Sequence, residues 1–141
     1  MPHIVILYTG NLDAPQPGGL NTDLSGLCRH LADALLTVRD ETGAQVFPTG
    51  GVRVLAFPAP HFAVADGSVD AAFVYMNLRM GRGRSEAVRQ RTGEALRASA
   101  AAHFAELLAV RAVGITLQID EGPEVFDAKL GNLHPLFNKA P

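Results

Sequence analysis

A short apolar run, a long stretch with apolar residues every three or four positions, and a second apolar run follow one another twice along this chain. Residues 3–8, from His3 to Tyr8, are nearly all apolar, as expected of a strand covered on both faces. Leu20, Leu24, Leu27, Cys28, Leu31, Leu35 and Val38 recur at helical spacing and predict an amphipathic helix over about 20–40. Gly26 within it costs about 1 kcal/mol relative to alanine. A second strand is expected at 52–57, closed by Pro58 and Pro60. A third, at 70–80, follows the turn signal Asp66-Gly67. In that strand Ala72, Val74, Met76 and Leu78 share one face, and Phe73 and Tyr75 the other. Gly81 to Ser85 breaks it. A second helix is expected from 86 to about 109, a last strand at 112–120, and a tail at 123–141 containing Pro123 and Pro135.

This order predicts an α+β fold, β-α-β-β-α-β, with one βαβ unit at 1–60 and another at 68–122. The 141 residues form a single domain, of a size that buries about 68–70% of its unfolded surface. Crossovers of the usual hand place both helices on one face of a four-stranded sheet. The other face then needs a cover, because the 70–80 strand is apolar on both sides. Oligomerisation is the simplest way to provide one.

The net charge of −2 argues against a nucleic-acid binder, which usually carries a basic face. Five of the ten arginines (Arg79, Arg82, Arg84, Arg89 and Arg91) nevertheless lie within 13 residues, so a local anion site is compatible with the overall balance. Arg89 and Arg91 read as solvated helix-face charges. Cys28 is the single cysteine, which excludes an intrachain disulfide and fits a small core residue in a reducing compartment. No apolar run approaches the ~20 residues of a spanning helix, and no secretory signal is visible. A cytoplasmic protein without membrane or nucleic-acid partners is expected. His, Cys and carboxylates show no metal-ligand spacing.

Two regions carry residues suited to chemistry. Met1 precedes Pro2, and an initiator methionine before a small residue is normally removed. The amine then exposed is secondary, is held at the end of a buried strand, and can be neutral near pH 7, as a general base requires. Pro2 can equally be an incidental second residue. In the Gly81–Ser85 loop, Ser85 is a good helix N-cap, the free N–H groups after it attract anions, and Arg82 and Arg84 add charge. A plain turn with a cap explains the same residues. The loop is neither a Walker loop nor a dinucleotide fingerprint, lacking the lysine of one and the third glycine of the other. Arg53 interrupts an apolar strand, where an unpaired charge is expensive unless it points to solvent. Among the histidines, His3 is read as structural, His103 as a packing-boundary residue and His134 as a tail contact. His30 and His61 have no partner at a recognisable spacing.

Several segments together resemble a known family. They are Pro2-His3-Ile4-Val5, Gly51-Val52-Arg53, Ala65-Asp66-Gly67 and Ala72-Phe73-Val74-Tyr75-Met76, followed by the Gly81-x-Gly83-Arg84-Ser85 loop and Asn132-Leu133-His134-Pro135-Leu136-Phe137. In this order and spacing, from residue 2 to about 137, the chain resembles the 5-carboxymethyl-2-hydroxymuconate Δ-isomerases of the tautomerase superfamily. The resemblance implies a homotrimer of β-α-β-β-α-β subunits and a catalytic N-terminal proline, Pro2. Arg53 and Arg84 match the family's arginines. The implied substrate is a small dienol di- or tricarboxylate from aromatic-compound catabolism, and the reaction needs no metal or organic cofactor. Apolar walls are expected from side chains such as Ile4, Phe57 and Phe62. The chain departs from the family pattern at Leu55, where relatives carry a second arginine, and this points to a substrate with fewer carboxylates. A non-catalytic carboxylate binder or an oligomeric scaffold of the same fold is the alternative.

Overall fold

A computed structural model describes residues 1–137 of the chain; the last four residues of the expected tail, 138–141, lie outside the described residues. Four strands form one sheet: β1 (His3–Thr9), β2 (Arg53–Ala59), β3 (Ala71–Met80) and β4 (Ala112–Glu121). Their order is β2-β1-β3-β4. β1 runs parallel to β2 and antiparallel to β3, and β3 runs parallel to β4. Helices α1 (Leu24–Thr37) and α2 (Glu86–Val110) complete the two βαβ units, and a single helical turn, α3 (His134–Phe137), ends the described chain. This is the expected β-α-β-β-α-β arrangement.

Alternation along the strands builds the core. Ile4, Ile6 and Tyr8 of β1 and Ala72, Val74, Met76, Leu78 and Met80 of β3 point to one face. There they meet Leu27, Leu31 and Leu35 of α1 and Leu96, Ala100, Phe104 and Leu107 of α2. Both helices therefore cover the same face. Cys28 packs against this core, and burial raises its thiol pKa, as expected of a small apolar filler. The opposite face stays open and apolar: Leu7 is 49% exposed, Leu55 53% and Phe57 49%, with Val5 and Phe73 beside them.

Three boundaries differ from the sequence reading, each for a local reason. α1 starts at Leu24 rather than near 20, because the preceding residues are tied to the loop before it. Thr22 Oγ1 donates to the Leu12 carbonyl at 2.8 Å, and Asp23 N–H donates to Asn21 Oδ1 at 2.7 Å. Asp23 then caps the helix, its Oδ1 accepting the Gly26 N–H at 3.0 Å. Gly26 fits this arrangement: a Cβ there would lie 2.1 Å from Asp23 Oδ2. At its other end α1 stops at Thr37, where the chain turns into an isolated bridge between Arg39 and Gln45. β2 continues through Pro58 to Ala59, beyond the expected stop, because it is an edge strand and a missing N–H is tolerated on an outer edge.

Asp23 has φ 53°, a left-handed conformation that asparagine and aspartate tolerate better than alanine. Asp23→Ala therefore loses both the cap and the backbone preference. It should destabilise the fold by about 1–2 kcal/mol, whereas Asp23→Asn should remain close to the parent. Urea denaturation of the three proteins measures the difference.

Candidate active site

β1 holds the start of the chain in the middle of the sheet. Pro2 is buried, and its carbonyl accepts the Arg53 N–H at 3.3 Å, which carries the β1–β2 ladder one step beyond the strand. Met1 lies at a cavity of about 620 Å3 that is lined on its apolar side by residues including Ile4, Val5, Leu55 and Met80. Its polar wall consists of His3, Arg53 and Arg79 from the strands, with Glu124, Asp127, Lys129 and His134 from the tail. The Met1 thioether accepts a contact from His134 Nε2 at 3.0 Å. Gly51 makes room for it: a Cβ there would stand 3.3 Å from the sulfur and 3.5 Å from the His134 ring.

Electrostatics at the terminus favour a neutral amine. Burial lowers the pKa of the Met1 amine first, followed by the positive charges of Lys129 and Arg84, while Asp127 and Glu124 act in the opposite direction. His3 is lowered likewise, by burial, then by the amine and Arg53. Its side chain lies on the open face and lines the cavity, so it is not the purely structural residue read from the sequence.

The two sequence-predicted arginines stand in different places. Arg53 is half-buried at the cavity, and its guanidinium donates to the Gly50 carbonyl at 2.5 Å and the Val52 carbonyl at 3.2 Å. It is therefore neither unpaired nor simply pointed at solvent. Arg84 does not line the cavity. It donates to the Gly81 carbonyl at 3.0 Å and lies over the Phe47 ring, 4.8 Å from the centroid, where burial lowers its pKa. Its positive charge, after burial and Lys129, lowers the pKa of the Met1 amine.

The Gly81–Ser85 loop is a turn with a cap. Ser85 Oγ accepts the Val88 N–H at 3.2 Å and donates to Glu41 Oε1 at 2.5 Å. Glu41, from the loop after α1, thus accepts from the cap hydroxyl of this loop. Arg89 pairs with Glu121 at 2.9 Å and Arg91 donates to the Arg39 carbonyl at 3.2 Å, both exposed on α2. Of the expected apolar walls only Ile4 lines the cavity; Phe57 lies on the open sheet face and Phe62 in the loop after β2. His30 does have a partner: its Nδ1 lies 3.1 Å from His103 Nδ1, joining α1 to α2. Reading the sequence missed Arg79, Lys129 and the part played by the tail. The only advance signal for the tail was the Asn132–Phe137 segment.

Among the described residues, no group of three or more His, Cys, Asp or Glu side chains is placed to hold a metal ion, and no helix is long and apolar enough to cross a membrane.

Comparison with known proteins agrees with this geometry. The model of the 5-carboxymethyl-2-hydroxymuconate isomerase family matches residues 2–137. The chain is 32% identical to a 5-carboxymethyl-2-hydroxymuconate Delta-isomerase of Escherichia coli, over 97% of this chain and 99% of that one. A crystal structure of a 5-carboxymethyl-2-hydroxymuconate delta-isomerase superposes with a TM-score of 0.90 at 58% identity, covering 100% of this chain and 95% of the other. A 5-carboxymethyl-2-hydroxymuconate isomerase from Deinococcus radiodurans R1 gives 0.81 at 34% identity, over 98% and 95%. More distant structures, of Pt0534 and of fused 4-OT proteins, are under 20% identical and share the fold alone. With a family match over nearly its whole length and relatives that it covers end to end, this chain belongs to the 5-carboxymethyl-2-hydroxymuconate isomerase family.

Proposed function

We propose that the chain is a cofactor-independent isomerase that moves a proton along a 2-hydroxymuconate-type dienol carboxylate, with the Pro2 amine as general base. The observation that carries this reading is the placement of the chain terminus: it opens on a cavity lined by cations, where burial and positive neighbours depress the amine pKa. Removal of Met1 transfers this environment to Pro2, which is more deeply buried than Met1. It also empties the space between Gly51 and His134 that the methionine side chain fills.

The chemistry is a balanced proton transfer. Neutral Pro2 nitrogen takes the proton of the 2-hydroxyl group, the electron pair shifts along the conjugated chain, and the resulting ammonium returns a proton to a carbon further along. A base with a pKa close to the working pH performs both halves. Nothing is oxidised or reduced, so the reaction as written calls for no metal or organic cofactor. Arg53 faces the cavity and is suited to a substrate carboxylate and to the charge that develops on the conjugated oxygen. Arg84, set back from the cavity, acts through its field on the amine.

The same reading includes a homotrimer. Val5, Leu7, Leu55, Phe57 and Phe73 form an apolar patch on the open sheet face, and such a face is stable in water only when covered. A reducing cytoplasmic setting suits the lone Cys28.

Three outcomes are expected. Pro2→Ala, or a form that retains Met1 as judged by intact mass, should lose at least about a hundredfold in kcat/KM on 2-hydroxymuconate followed by ultraviolet absorbance. Equal rates from the Met-free and Met-retaining proteins would rule out Pro2 as the base. The second outcome concerns pH. A protonated amine cannot accept a proton, so kcat/KM should fall as the pH drops through the amine pKa. With that pKa depressed, the acid limb lies below the ordinary α-amine value of about 8; Arg84→Gln removes a positive neighbour and should move it upward. Finally, Leu7→Glu places a charge in the middle of the open face and should convert the trimer to monomer in analytical ultracentrifugation.

A further inference from the structure

Arg53, His3 and Arg79 occupy one rung of the sheet. His3 is in register with Arg53 on β2 and with Arg79 on β3. Residues in register share a face, so the three side chains project together from the open side, on the rung nearest the chain terminus. All three line the cavity. With strands about 4.8 Å apart, the two arginines start roughly 10 Å apart with the imidazole between them.

The arginines differ in how far they are committed. Arg53 is held by two backbone carbonyls. Arg79 forms no ion pair within 4.0 Å among the described residues, although acidic groups surround it. Asp120, its register partner on β4, accepts the Asn77 side-chain amide at 2.8 Å. Glu121 pairs with Arg89. The Glu124 carboxylate and the Arg79 guanidinium both abut Gly122, 2.6 and 2.9 Å from where a Cβ would stand, without closing on one another. The remaining cation of the wall, Lys129, is paired with Asp127. Arg79 therefore lines the cavity with no carboxylate of the described residues paired with it.

A 2-hydroxymuconate has a carboxylate at each end of a conjugated chain, and one guanidinium can hold only one end. We infer that Arg79 is a specificity-determining residue that binds the second carboxylate, at the end of the substrate opposite the one held by Arg53. It thereby selects dicarboxylates over monocarboxylates of the same length. This rests on the dienol-carboxylate reading above. His3 stands between the two arginines in register, and burial, then the chain-terminal amine and Arg53, lower its pKa.

The test is equilibrium binding, with no turnover required. Isothermal titration of the Met-free protein with trans,trans-muconate and with sorbate compares the same six-carbon diene with two carboxylates and with one. Neither acid carries the 2-hydroxyl group that the reaction consumes. The parent protein should prefer muconate. Arg79→Gln should weaken muconate by about tenfold, the loss of one charged hydrogen-bonding pair, and change sorbate by less than about twofold. A parent without preference for muconate, or a variant in which both affinities fall equally or neither changes, overturns the assignment. A protein inactive on 2-hydroxymuconate that still shows the Arg79-dependent preference would retract the proton-transfer reading and leave this one standing.

Discussion

Everything at the site depends on β1 being an inner strand. The beginning of a chain normally frays, because nothing holds it. Here β1 is hydrogen-bonded to β2 on one side and β3 on the other, and the Pro2 carbonyl adds one more bond to the ladder. Pro2 is thereby held at the start of the ladder, with the Met1 amine one residue beyond it. The same pairing brings the first residues of β2 and the last of β3 alongside it, so Arg53 and Arg79 flank His3 as a consequence of register alone.

Charge at the site is kept available by the choice of acceptor. Arg29, Arg89 and Arg97 are paired with carboxylates, which largely cancel their charge. Arg53 and Arg84 are held by backbone carbonyls, and Arg84 also by the face of Phe47. A carbonyl orients a guanidinium without neutralising it, and partial burial strengthens the field that remains. In a chain with net charge −2, Arg53 can in this way keep its charge at a cavity wall that also carries Glu124 and Asp127.

What could be read from the sequence was what local pattern encodes. Strand and helix order, the helix-covered face and the Ser85 cap follow from periodicity and capping chemistry over a few residues. Pro2 and Arg53 stood out because each is unusual in its immediate setting. What stayed hidden depends on long-range register. Local pattern sets Arg89 and Arg91, on a helix face, apart from the loop arginines, but only the pairing of β3 with β1 puts Arg79 beside His3 at the cavity. His30 and His103 meet across 73 residues, a contact that no local spacing reveals. Glu41, the partner of the Ser85 hydroxyl, comes from the loop after α1, 44 residues away, a contact that no local pattern announces.

The tail has a further consequence. It reaches back over the cavity and is pinned where α3 meets Gly50, at which a Cβ would stand 2.9 Å from the His134 Cα. Between β4 and that point it buries little, with Val125, Phe126 and Leu130 almost fully exposed. A segment with so few buried contacts is expected to open at a lower free energy than the sheet. The floor of the cavity and its outer wall thus belong to two different levels of stability. Amide exchange would separate them into a slow set on the strands and a fast set in the tail, and solute can reach the chain terminus without any strand being unpaired.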